Sequence, residues 1–538
     1  MKLSDSSLRE NRALFAEKGY QLPTFDREAM KAATADHPTW VHFGAGNIFR
    51  GFLAPLAQQL LDEGAADTGI VVAVGFDPSL LNVAYRPFDN LTVVATLCAS
   101  GEIRKKVVGS IADSLCMVDG GEEWAKLCRA FRNPSLQMAS LTITEKGYNY
   151  LAADGSVLPA VLKDMEAGPQ GAVGYLGRIT ALCHERFVAC GAPIALVSMD
   201  NCSHNGSRLE AAVLAIAEGW LQRGLCEAAF IEWLRDRSKI TFPWSMIDKI
   251  TPRPDESVQK LLEADGLEGM ELHQTRHGSY TAAFVNTEEA EYLVIEDKFP
   301  NGRPALERTG VIFTDGETVD MVETMKVCTC LNPLHTAMSV VGCLLGFTRI
   351  NAEMKDDDLH RLVEKVGYTE GLPVVVDPVV IDPKAFIDEV INKRLPNPFL
   401  QDDPRRIATD TSQKIPVRFG GTIRKYAQRD DLDVKDLKCI SFVLAAWCRY
   451  LMGIDDTGAA FTPSDDPMLA ELMPLVAHVK LGEVCDVRAT LQPILSNAAI
   501  MGSDLYEVGL AEQVESFFTR LIAGPGAVRA VLHEVVNA

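Results

Sequence analysis

Hydrophobic and polar positions change their period once along the chain. Before about residue 300, apolar residues gather in short continuous runs separated by turn residues; after it they recur at helical spacing. Residues 39–48 (TWVHFGAGNI) read as a buried strand entering a glycine turn, Gly51 to Glu63 has the apolar spacing of a helix, and Ile70 to Phe76 is a β-branched run closed by Asp77-Pro78. That sequence predicts a βαβ unit. Further runs at Leu91 to Ala95, Val107 to Ile111, Met138 to Thr144 and Pro193 to Met199 alternate with helical patterns. A mostly parallel sheet covered by helices is the packing solution that buries such runs on both faces.

Helical periodicity then dominates Val319 to Leu345, Asp358 to Val366, Pro383 to Asn392, Leu437 to Met452, Ala470 to Val479 and Glu507 to Leu521. The expected fold class is α/β: a Rossmann-type, mostly parallel sheet domain over residues 1–300, followed by a mainly α-helical domain over 301–538. The break falls in the turn Phe299-Pro300-Asn301-Gly302.

Charge narrows the partners. The chain has 538 residues, 47% hydrophobic, and a formal charge of -21. With no Lys/Arg-rich run, it is expected to bind neither nucleic acid nor anionic lipid, and any acidic substrate needs local cations. Met1 to Leu14 lacks the apolar core of a signal peptide, and the apolar stretches fall short of the ~20 residues of a membrane span, so a cytoplasmic location is expected. The thirteen cysteines are odd in number and contain no CxxC pair, which fits reduced thiols; Cys328, Cys330 and His335 lack metal-ligand spacing, so no metal is expected.

Chemistry-bearing residues fall into a few segments. Gly44-Ala45-Gly46, between a strand and a helix, offers a tight turn and close backbone approach to a pyrophosphate; alone it is a weak signal that a simple packing turn also fits. Phe49 stands where a third glycine is usual. Arg50 either reaches a phosphate or is a solvated helix residue, and Asp77 is either a ribose acceptor or part of an Asp-Pro turn. In ETMKVCTCLNPLH a single lysine, Lys326, stands in an apolar helical stretch. Buried, it becomes an acid–base candidate; exposed, it is an ordinary surface lysine, with Glu323 one turn earlier as proton relay or ion-pair partner. Asn332 and His335 offer donors to a carbonyl oxygen or cap a helix interrupted at Pro333. Asp200-Asn201 follows a strand and Asp248 lies in IDKITPRP, each fitting a ligand site or a simple turn, while Arg405, Arg406, Lys414 and Arg418 either supply the local cations that an acidic substrate would need or form a solvated basic patch.

Taken together, GAGNIFR, SLTITEKGY, SMDNCSHNG, FPWSMIDKITP, VIEDKFPNGRPALERTGV, ETMKVCTCLNPLH and RIATDTSQKIP, in that order, resemble the polyol-specific long-chain dehydrogenase (mannitol dehydrogenase) family from about residue 40 to at least 425. The resemblance implies zinc-independent catalysis by a lysine. Carried over by position, it makes Lys326 the acid/base, Asn201 and Asn332 the pair polarising the substrate oxygen, Asp248 a neighbour of the lysine, and Glu323 the proton-path glutamate. It assigns His335, Arg406 and Lys414 to the substrate, and Gly44, Gly46, Asn47, Arg50 and Asp77 to a cofactor, NAD rather than NADP.

Lys146 in TEKGY, where polyol enzymes more often show glycine, together with Arg406 and Lys414, points to an acid substrate: a keto-hexuronate, D-fructuronate reduced to D-mannonate. Mannitol and tagaturonate enzymes are the alternatives, and a non-catalytic NAD- or sugar-sensing protein is the reading from another class. A monomer or small homo-oligomer is expected. This chain departs from the family pattern at Ile48-Phe49, at Pro333, and in having five residues rather than four between lysine and asparagine. The last departure predicts a helical bulge between Lys326 and Asn332.

Overall fold

The computed structural model describes residues 1–118, 121–275, 278–400 and 402–538. The chain divides into two compact units at Asp320/Met321, with Ala99–Gly101 grouped with the second. The first unit thus runs about twenty residues beyond the expected boundary. Its extension has a cause: Ile312–Thr314 pairs in parallel with Tyr292–Glu296, which pairs antiparallel with Ser245–Asp248, so this segment belongs to a sheet of the first unit.

Six parallel strands form the principal sheet: β1 (Trp40–Phe43), β2 (Ile70–Val74), β3 (Ile111–Cys116), β4 (Met138–Leu141), β5 (Ile194–Ser198) and β6 (Ile240–Thr241). Their spatial order is β3-β2-β1-β4-β5-β6, the doubly wound Rossmann arrangement. Successive residues of each strand feed opposite cores. Val41, Phe43, Val71, Ala73, Ala139 and Leu141 join the cluster around Trp220, while Trp40, Ile70, Val72, Met138 and Val197 join the one beneath Ala54–Asp62. Burial on both faces explains why these strands read as continuous apolar runs rather than alternating ones.

The run Val107 to Ile111 proves to be two strands in different sheets. Ile103–Val108 belongs to a four-stranded sheet with Tyr20–Gln21, Thr92–Leu97 and Phe284–Glu288, whereas Ile111 opens β3. Between them the chain turns at Gly109-Ser110, where Gly109 N–H donates to Gln58 Oε1 (2.6 Å) and the Ser110 hydroxyl to the Ala54 carbonyl (2.6 Å). Apolar periodicity cannot register a change of sheet across two small residues.

Helices make up the second unit. Asn332–Leu344 is buried along nearly its whole length and packs against Asp357–Glu364, Pro404–Ile407 and Lys438–Tyr450; the last packs in turn on Ala511–Leu521. Several helices continue into π turns: Lys326–Cys330, Lys365–Gly371 and Val390–Arg394. The helical run Gly316–Leu344 is long and apolar enough to cross a membrane by composition, and 78% of its most apolar window is buried inside the fold, as in a core helix.

Candidate active site

In the first unit, β1 and β4 are neighbours whose connections leave in opposite directions, and open α/β sheets bind ligands at the carboxyl ends of such strands. Gly44 follows β1 at φ +123, and a Cβ there would lie 2.3 Å from the Thr142 carbonyl oxygen, so only glycine fits. Gly46 is exposed, and a Cβ on it would meet nothing within 4 Å, so the turn is open to solvent at that point. The Tyr85 hydroxyl donates to the Ala45 carbonyl (2.7 Å) and steadies the turn from below.

Arg50 is fully buried and donates to the Ala282 carbonyl (2.6 Å), Thr281 Oγ1 (3.0 Å) and Asn47 Oδ1 (2.9 Å). Its donors therefore tie Asn47 and the glycine turn to residues 281–282, which corrects the expectation that it reaches a phosphate. Phe49 is buried and stacks on His42 at 4.3 Å between ring centroids. The close-packing role of the missing third glycine falls to Gly51, where a Cβ would come 2.6 Å from Thr287 Cγ2. Asp77 stands just beyond the carboxyl end of β2, buried, with Oδ1 accepting from the Ser79 amide (3.1 Å) and hydroxyl (2.5 Å).

Two loops complete this end of the sheet. After β4 the chain reaches the short turn Glu145–Tyr148, on which Lys146 is exposed; its carbonyl accepts from the Asn149 amide (3.2 Å), and its ammonium has no hydrogen-bond or ion-pair partner among the described residues. After β5, Asn201 is exposed, and its neighbour Asp200 accepts from Ile143 N–H (2.7 Å), Thr144 N–H (2.9 Å) and the Tyr148 hydroxyl (2.6 Å). Asp248 is buried at the end of the strand Ser245–Asp248.

In the second unit, Lys326 is 3% exposed and opens the π turn Lys326–Cys330, directly after the helix that carries Glu323. The Leu331 amide bonds back to the Lys326 carbonyl (3.0 Å), five residues earlier, and Asn332 begins the next helix with Pro333 in its first turn. This is the bulge that the lysine-to-asparagine spacing predicts. A π turn absorbs one residue without redirecting the helix, and such turns concentrate at functional sites. Pro333 is accommodated because the first helical turn leaves its amides without intrahelical acceptors.

His335, one turn further on, is held down to about 4 by burial and by the cations Arg394 and Arg418, so it is neutral near pH 7. Arg418 donates to the Asn332 carbonyl (3.3 Å) and Thr336 Oγ1 (2.5 Å), fixing the start of this helix. Lys414 donates to the Ile407 carbonyl (3.0 Å) and to that of Thr409, and burial with the nearby Arg418 lowers its pKa to about 8. Arg406 is exposed and held by Asp402 through two bonds of 2.5 Å. Its fork is thus already occupied by a carboxylate, contrary to the expectation of an open cation. Arg394, buried at the end of the π turn Val390–Arg394, takes a place in the cluster that the sequence reading does not give it; nothing in INKRLPNP marks one basic residue as internal.

A Rossmann sheet with a tight glycine turn after its first strand, joined in one chain to helices bearing a buried lysine, matches known proteins along its length. Residues 38–308 match the mannitol dehydrogenase Rossmann domain and residues 318–521 the mannitol dehydrogenase C-terminal domain. The chain is 49% identical to a D-mannonate oxidoreductase of Thermotoga maritima, over 100% of this chain and 99% of that protein. Among solved structures, a substrate-free D-sorbitol dehydrogenase aligns at TM-score 0.79 and 25% identity, covering 95% of this chain and 97% of its own. The Pseudomonas fluorescens mannitol 2-dehydrogenase in a ternary complex with NAD and D-mannitol aligns at TM-score 0.68 and 25% identity over 100% of both chains. Fold, glycine turn and both matched domains agree that this chain is an oxidoreductase of the mannitol dehydrogenase family.

Proposed function

We propose that the protein interconverts a keto-hexuronate and its aldonate with NAD(H), reducing D-fructuronate to D-mannonate, without a metal. The observation that carries the acid substrate is that Arg394, Arg418 and Arg406 all bear on His335 against the single carboxylate Asp402, with Lys414 beside Arg418, in a protein of charge -21. Such a cluster offsets the repulsion that the overall charge imposes on a carboxylate. The relative named D-mannonate oxidoreductase, 49% identical along the whole chain, supports the same substrate class.

NAD(H) is supported by the open space over Gly46, by Asp77 at the carboxyl end of β2, whose charge opposes a 2′-phosphate, and by the structural neighbour that holds NAD. When bound, the nicotinamide supplies or accepts the hydride at the sugar carbonyl carbon. Lys326 gives its proton to the oxygen as the alcohol forms and takes it back in the oxidative direction, with Glu323 relaying it to solvent. Asn201 and Asn332 donate to that oxygen, where negative charge develops. His335 hydrogen-bonds a sugar hydroxyl, and Asp248 belongs to the catalytic set on the family resemblance alone.

The test is loss of nicotinamide absorbance with D-fructuronate, D-tagaturonate and D-fructose, using NADH and NADPH in parallel and repeating with a chelator. Turnover of D-fructuronate with NADH, unchanged by the chelator, is the expected result. A preference for fructose would overturn the acid substrate, a preference for NADPH the cofactor, and loss with chelator the metal-free mechanism.

A further inference from the structure

The turn that carries Lys146 is held in place from outside its own segment. Asp200, at the end of β5, accepts from the amides of Ile143 and Thr144 and from the Tyr148 hydroxyl, so it grips the turn on both sides of Lys146. Tyr148 is buried, and its oxygen also accepts from the Ser198 hydroxyl (2.7 Å). Asp200 is fixed in turn: fully buried Asn205 donates to its carbonyl oxygen (3.0 Å) and to the Ser245 carbonyl (2.9 Å).

The gripped backbone is strained. Thr144 sits at φ +66, ψ 158, a conformation costly for a β-branched residue and kept only where surrounding contacts impose it. Here the Asp200 carboxylate supplies that restraint through the Thr144 amide itself. Glu145, next to Lys146, is occupied by Arg208 at 2.8 Å and so does not neutralise it. A structural loop needs no strained threonine beside an unneutralised lysine.

We infer that Asp200 is a positioning residue for acid specificity: by clamping Ile143, Thr144 and Tyr148 it presents Lys146 to the carboxylate of the sugar acid. The inference rests on the keto-hexuronate reading above and adds a device to it. Asp200→Asn is nearly isosteric, yet it puts an amide N–H where a backbone N–H or the tyrosine hydroxyl must donate.

The experiment compares the ratio of kcat/KM for D-fructuronate over D-fructose in wild type, D200N, K146M and the double variant, with KM for NADH and amide hydrogen exchange over residues 142–148. The expected result is a ratio lowered about tenfold in D200N and in K146M, no further loss in the double variant, an unmoved KM for NADH, and faster exchange at Ile143 and Thr144 in D200N. A ratio preserved in D200N, losses that multiply in the double variant, or an effect on NADH alone would each overturn the inference. Should D200N fail to fold, Tyr148→Phe, which removes one of the three bonds, must lower the ratio in the same direction. A wild-type enzyme without preference for the keto acid would sink the substrate reading and the specificity role together; the exchange rates would still report whether Asp200 anchors the turn.

Discussion

The two units position their candidate site residues by different means. In the first, Gly44, Gly46, Asn47, Asp77, Lys146 and Asn201 stand beyond strand ends, and three of these segments are held by side chains of the same unit: Tyr85 to Ala45, Arg50 to Asn47, Asp200 to the turn at Lys146. In the second, Lys326, His335, Arg394 and Lys414 project from helices, and π turns at Lys326–Cys330 and Val390–Arg394 set where the first three emerge. A loop position is held by many weak restraints and can be retuned one bond at a time. A helical position is set by register, so a one-residue change in length moves every side chain beyond it.

The sharpest break in this contrast is chemical. Lys326→Ala should lower kcat by roughly 10²–10⁴ with little change in melting temperature, because general acid–base assistance is lost while the helix remains. Loss of folding instead would make Lys326 a packing residue. Next in size, Gly44→Ala forces a Cβ against the Thr142 carbonyl at positive φ and should cost about 1–3 kcal/mol of stability, raising KM for NADH; a neutral result would mean that the turn is not the cofactor's seat.

Smaller is the pH response of the second unit. The Lys414 value is lowered to about 8, so its charge is present below that pH and lost above it. KM for the sugar acid should therefore rise severalfold between pH 7 and pH 9, and Lys414→Met should flatten the profile. An unchanged profile in that variant would remove Lys414 from acid binding. The smallest effect is expected on deletion of Cys328, which should be tolerated because a π turn shortened by one residue becomes an ordinary α-helix with both flanks in register; deletion of Asp320 within Gly316–Met325, where there is no such slack, is the disruptive control and should destabilise the fold. Equal damage from the two deletions would mean that the π turn carries no slack.

The same contrast governs what the sequence disclosed. Buried parallel strands announce themselves as unbroken apolar runs, so β1, β2, β4 and β5 were legible, as was the glycine turn; one counting anomaly, five residues between Lys326 and Asn332, foretold a π turn. What escaped depends on distant partners. Nothing local says that Arg50 will be spent on residues 281–282 or that Arg394 will turn inward, whereas the Asp402–Arg406 pair is an i,i+4 contact that helical spacing does offer. Asp200 stood in view beside Asn201, but its role needs amides 56 and 57 residues away.

The anchoring of Arg50 bears on transplantation. Asn47 takes its orientation from an arginine whose other donors end on Thr281 and Ala282, and Gly51 nestles against Val285 and Thr287. A chimera that grafts only the strands and loops from residue 40 to 198 onto another scaffold would deliver the glycine turn without its foundation. The smallest portable cofactor cassette in this chain therefore has to include residues 281–287, some ninety positions beyond the last long strand of the sheet it serves.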